Sequence, residues 1–207
     1  DVTRRLDRLP LGEVPSAPDL PPLEWRGAHL DLSREGTDQI HARLAFETMA
    51  VSDSRVPALA VLNRTLGDGA ASRLFQRLRE EEGLTYDLWS APVLWRLGGF
   101  LEVGWACAPQ AFADSWRLVL GELERLPSDL EEHEVAVAKE GILRGLRMDM
   151  ESPAAQCSLD VGEVLGRGRR FDPEVACREL ESVTLEDLRA LASEILRPGK
   201  HASAVCG

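Results

Sequence analysis

The 207-residue sequence has no apolar run near the roughly 18 residues a membrane-spanning helix needs; stretches such as Val56 to Leu62 are core-sized. Its first residues, Asp1-Val2-Thr3-Arg4-Arg5-Leu6, lack the apolar block of a secretory signal, and the expected setting is cytoplasmic. Cysteine is sparse: Cys107, Cys157, Cys177 and Cys206 never approach the short spacing of a zinc knuckle or a redox motif, so a reduced interior is expected. Positive charge is in deficit, with 24 Lys and Arg against 35 Asp and Glu for a net charge of −11. That balance removes the attraction on which nucleic-acid binding depends, and neither nucleic acid nor a membrane is an expected partner.

Histidine, the residue most often found in metal and acid–base sites, occurs four times, at His29, His41, His133 and His201. His133 has Asp129 four residues before it and Val137 four after, so no paired-histidine helix site exists, and Glu131-Glu132-His133-Glu134 reads as a solvated acidic face. His29 and His41 fall on the polar side of strand patterns. The sequence has no Gly-x-Ser-x-Gly elbow. Gly67-Asp68-Gly69 lacks the third glycine, the Walker lysine and the βαβ setting of a phosphate loop, and reads as a helix stop and close-packing turn.

What is present is a foldable chain with 44% hydrophobic and 29% charged residues, sized for one large domain. Pro10, Pro15, Pro18, Pro21 and Pro22 crowd the start, so residues 1–23 read as an interdomain linker and 24–207 as the folded domain, with another domain expected upstream. Strand patterns run from His29 to Leu32, Gln39 to Thr48, Leu84 to Leu94 and Phe100 to Ala106, with a last short one at Ala202 to Val205. A helix capped by Asp53 or Ser54 runs from Val56 to Leu66, and a second runs from Ala71 to a stop at Gly83. Helical spacing returns at Phe112 to Leu123. Ser128 with Glu131 makes a capping-box pattern that opens a long helix to Met150, Ser152-Pro153 starts another, and Thr184 opens the last. Strand pairs followed by helices imply an α+β class: a two-layer sandwich of a mostly antiparallel sheet with helices on one face.

The block from Leu66 to Ser90, L-G-D-G-A-A-S-R-L-F-Q-R-L-R-E-E-E-G-L-T-Y-D-L-W-S, resembles the signature of the second-type domain of the pitrilysin/insulinase family of zinc metallopeptidases, which includes the mitochondrial processing peptidases. Gln39 to Glu47, Lys139 to Pro153 and Val183-Thr184-x-x-Asp187 extend the likeness over roughly residues 24 to 206. The catalytic H-x-x-E-H of that family is absent, so the resemblance implies a domain with no metal of its own that is inactive alone, zinc being expected on the partner domain if the full protein is active. Arg79 and Tyr86 match an Arg–Tyr pair with which related peptidases bind the substrate backbone and stabilise the transition state from the domain facing the zinc. Both the catalytic and the substrate-binding assignment therefore fall on Arg79 and Tyr86. A phenol can donate to a developing oxyanion, and a guanidinium offers several fixed donors for a peptide carbonyl. The bland alternative makes Arg79 one more surface charge beside Glu80, Glu81 and Glu82, and Tyr86 ordinary strand packing.

The implied partners are an upstream domain or partner subunit of the same family, and unfolded peptides held in a chamber between the two. Glu80-Glu81-Glu82 and Asp87 make the local field negative, which favours basic or neutral peptides. Two readings of another class stand beside this one: a non-catalytic scaffold subunit that keeps the fold for assembly, and a free-standing peptide-binding module.

Overall fold

The computed structural model describes residues 23–207 except 35 and 198; the linker assigned to residues 1–23 lies, Leu23 apart, outside the described residues. Among the described residues, alternation of apolar and polar residues builds five strands: β1 His29–Leu32, β2 Ile40–Thr48, β3 Thr85–Leu94, β4 Gly99–Cys107 and β5 His201–Cys206. They form one sheet in the order β1-β5-β2-β4-β3. β5 returns from the end of the chain to lie parallel to β1 and antiparallel to β2, while β2–β4 and β4–β3 are antiparallel.

One face of this sheet carries the core. Ala42, Leu44 and Phe46 of β2, Leu88 of β3, and Leu101, Val103, Trp105 and Cys107 of β4 are buried against helices. On the opposite face Arg43 pairs with Glu102 at 2.5 Å and its guanidinium lies 5.1 Å from the Trp89 ring centroid. Gly104 is required beneath that ring, because a Cβ there would come within 2.8 Å of it. The class is therefore the two-layer α+β sandwich expected, with helices on one side.

Among the described residues there are six α-helices, α1 Val56–Leu66, α2 Phe112–Asp129, α3 Glu132–Asp149, α4 Pro153–Arg167, α5 Pro173–Ser182 and α6 Leu185–Ile195, of which all but α4 bury residues in the core. Leu59, Val61, Leu62 and Leu66 of α1, Val119, Leu123 and Leu126 of α2, and Leu188, Leu191 and Ile195 of α6 pack onto the sheet. The caps differ from the expectations in two places. α1 begins after Arg55, which makes no side-chain cap; Asp53 instead accepts the Arg55 N–H at 2.8 Å. α2 runs through Pro127 to Asp129, a last-turn position where the missing N–H forfeits one ladder bond. Ser128 Oγ therefore donates back to Arg125 O at 2.9 Å, and the capping box belongs to Glu131 and Glu134.

Ser152 caps α4 and Thr184 caps α6, the latter reciprocally with Asp187, as their patterns imply. No pattern assignment covered α5, although Asp172-Pro173 carries the same cap-then-proline signal and the Asp172 carboxylate accepts from Glu174 N and Val175 N. No helix among the described residues is long and apolar enough to cross a membrane.

Candidate functional site

The segment between α1 and β3 builds the candidate site. α1 stops at Gly67, where a Cβ would come within 2.7 Å of Ser90 Oγ; that hydroxyl is buried and donates to Asn63 Oδ1 at 2.7 Å. Gly69 (φ 106°) completes the turn, and Ser72 Oγ donates to Gly69 O at 2.7 Å. The turn is thus a helix stop and a close approach, as its composition implies.

The helix expected from Ala71 is present in altered form, as a π-helix over Phe75–Glu81. Such wide turns recur at functional sites. Leu74 and Leu78 are buried beneath it, and Gly83 (φ 62°) ends it, letting Leu84 N donate to Leu78 O at 2.8 Å. Arg73, ahead of it, forks onto both oxygens of Glu134 at 2.6 Å and reaches Asp129 O at 2.8 Å, fixing the π-helix to the α2–α3 corner. Burial alone would raise the Glu134 carboxyl, but hydrogen bonds from Arg73 and from Glu131 N hold it below the usual carboxylate range.

Arg79 leaves the π-helix on its exposed side. Its guanidinium lies 4.8 Å from the Phe75 ring centroid, and Nη1 donates to Tyr86 O at 3.2 Å. Tyr86 stands where β3 carries a bulge: Thr85 pairs with Cys107 and Asp87 with Ala106, leaving Tyr86 the extra residue. The bulge turns both Tyr86 and Asp87 outward while Thr85 and Leu88 stay buried. Tyr86 is 86% exposed, and its hydroxyl meets no hydrogen-bond partner among the described residues.

The structure therefore brings Arg79 and Tyr86 together, one fixed to the backbone of the other. Arg79 is exposed beside Glu80, while Glu81 and Glu82 pair with Arg77 at 2.5 and 3.2 Å; Tyr86 is exposed rather than packed into the core. Arg73 and Phe75 are contributors to which the sequence reading gave no role; both lie within the Leu66–Ser90 block that carries the resemblance.

The pair stands on an open surface. A cleft of about 580 Å³ is lined by Trp25, Glu47, Thr48, Arg197 and Lys200, and one of about 420 Å³ by Arg64, Asp68, His133 and Arg144; neither includes Arg79 or Tyr86. The described residues offer no group of three or more His, Cys, Asp or Glu placed to hold a metal ion. His29 and His201 are neighbours, with ring centroids 5.5 Å apart, but the groups beside them are Ser203 and the Phe46 ring rather than a third ligand. The donor set does not fit a zinc centre.

Fold and site define a two-layer domain whose described residues present Arg79 and Tyr86 side by side and hold no cluster suited to a metal ion. A family model described as the peptidase M16 inactive domain matches residues 2–142, and the chain belongs to that family. An uncharacterised zinc protease of Mycobacterium tuberculosis is 34% identical over 202 residues, 97% of this chain and 46% of that protein. The alpha subunit of the mitochondrial-processing peptidase of Neurospora crassa is 27% identical over 173 residues, 75% of this chain and 30% of that protein. Among solved structures, a protease from Helicobacter pylori has a TM-score of 0.80 at 17% identity, covering 88% of this chain and 45% of that one. A peptidase M16 inactive domain from Pseudomonas fluorescens has 0.78 at 20% identity, covering 94% and 48%. These two share the fold. The chain spans about half the length of these curated zinc-protease relatives.

Proposed function

We propose that this chain is the metal-free half of a two-part zinc peptidase: it closes a peptide-binding chamber and supplies Arg79 and Tyr86 to a reaction whose metal is held by the other half. One observation carries the reading. In a chain of the M16 inactive-domain family, a guanidinium is fixed against a backbone carbonyl beside an exposed, unpartnered phenol. A side chain so exposed and so little used by its own fold is available to something outside it.

The chemistry follows from the donors. A guanidinium has five N–H donors and Arg79 spends one on Tyr86 O, so the rest are free for a peptide carbonyl. The Tyr86 O–H, attached to a backbone that Arg79 restrains, donates to the oxygen on which charge develops as the scissile carbonyl is attacked, and that bond strengthens as the charge grows. Zinc on the other half would supply the metal chemistry of hydrolysis. β3, which starts at the bulge, is an edge strand of the sheet, so an unfolded peptide can pair with its backbone as an added strand up to Pro92, which has no N–H. Main-chain pairing makes binding tolerant of sequence, and the exposed acids Glu80 and Asp87 favour basic over acidic peptides.

The test is turnover of unfolded peptides by the full-length protein. Tyr86→Phe should lower kcat by roughly 10² to 10³ fold with KM little changed, as for loss of one oxyanion donor. Arg79→Ala should mainly raise KM. Turnover left intact by both substitutions would sink the assisting role and favour the scaffold reading.

A further inference from the structure

α4 is apolar on two sides. Gly166 faces the body, where a Cβ would come within 2.9 Å of Val51 Cγ2, with Leu159 on the same side at 100° per residue; Cys157, Val161 and Val164 lie on the opposite side and Leu165 on its flank. That side is exposed: Val161 by 50%, Val164 by 49%, Leu165 by 79%. The charged residues turn inward instead. The Glu163 and Arg167 side chains are only 19% and 17% exposed; Glu163 pairs with Arg167 at 3.2 Å and Arg169 at 3.0 Å, and Arg167 Nε donates to Val51 O at 3.0 Å. Asp160 accepts from Arg170 and from Phe171 N. Charged groups of α4 are thus satisfied within the chain while an apolar stripe faces out, a pattern that fits a contact surface.

We infer that this stripe of α4 is the seat of the other half of the longer protein, an apolar surface with a neutral or basic rim. Three observations select that occupant over a second copy. The curated zinc-protease relatives run to about twice this chain's length, which leaves a half of comparable size to cover the stripe. The stripe follows one 15-residue helix, about 22 Å long and roughly 200–300 Å² in area, far below the roughly 800 Å² per partner of a stable complex between separate molecules. A contact that small holds when the partner is tethered and its effective concentration is high. Finally, two copies at −11 each repel.

The inference rests on the two-half reading but not on catalysis, and Cys157, exposed on the stripe, reads it directly. Alkylation of Cys157, followed by mass spectrometry of its peptide, is compared in the 207-residue chain and in the full-length protein. The rate should fall at least about tenfold in the full-length protein, and Leu165→Glu, or Val161→Asp should Leu165→Glu not fold, should restore it. Equal rates in the two proteins overturn the inference. So does protection that grows with concentration in the 207-residue chain as its mass doubles, which would make a second copy the occupant. Peptide turnover reads the Arg79–Tyr86 site separately, so a failure there leaves the labelling result standing.

Discussion

Tyr86 faces out together with Asp87 because one residue is added to β3 with no residue added to β4. Simple alternation from the buried Thr85 would put Asp87 on the core face and Leu88 on the open one; the bulge lets both Tyr86 and Asp87 turn out and returns Leu88 to the core. The position of Arg79 depends in turn on where the π-helix stops, and Gly83 in the left-handed region sets that stop. Gly83→Ala should therefore cost about 1 kcal/mol of stability, seen as a lower urea midpoint, and should raise KM for peptides more than the stability loss explains, because the Arg79 anchor shifts. Gly67→Ala drives a Cβ into the buried Ser90 hydroxyl and should cost about 1–3 kcal/mol with no separate effect on KM. The spacing of Arg79 and Tyr86 was legible in the sequence. The bulge was not, since Leu84 to Leu94 has the composition of an ordinary strand and nothing local says which residue is extra.

Local signals fared best at the ends of elements, and failed where two signals competed or a bond came from far away. Ser128 has the spacing of a capping box with Glu131, but the preceding helix runs on through it and the box moves to Glu131 and Glu134. α5 was missed although Asp172-Pro173 announces it; beyond its own cap, it is held by Lys139 of α3, whose ammonium donates to Glu181 O at 3.0 Å and to Val183 O. A link spanning more than 40 residues leaves no local pattern. Lys139→Met should remove about 1.5–3 kcal/mol through these charged hydrogen bonds, measured as a shift in denaturation midpoint. β1 and β5 add a pH dependence. Burial, and then the neighbouring His29, lower the pKa of His201 below the ordinary imidazole value. The neutral form is thus favoured by the fold, so its contribution is intact above about pH 6.5 and is lost as pH falls through that value toward the depressed one. Melting temperature should drop between pH 7.5 and 5, and His201→Phe should flatten that part of the profile.

The two surfaces that this fold leaves unfinished belong to the whole molecule. Arg79 and Tyr86, which we propose as a half-site, stand exposed together, and apolar residues of α4 face outward while Glu163 and Arg167 are paired within the chain. Under the proposed function another body completes both, and the curated zinc-protease relatives have the length for one. The proposal divides the metal in the same way. Zinc in a hydrolase requires three protein ligands converging on one point with a position left for water. Here the histidines are scattered: His29 and His201 neighbour each other on β1 and β5 beside Ser203 and Phe46, His41 is on β2, and His133 lies on α3. The 207-residue chain, loaded with excess zinc and dialysed, should therefore retain well below one equivalent by atomic emission, and a chelator should leave its melting temperature unchanged. The full-length protein should retain one equivalent and lose peptide turnover on chelation, with α4 still docked. One tightly held zinc on the 207-residue chain would place the metal in this half and overturn the division of labour.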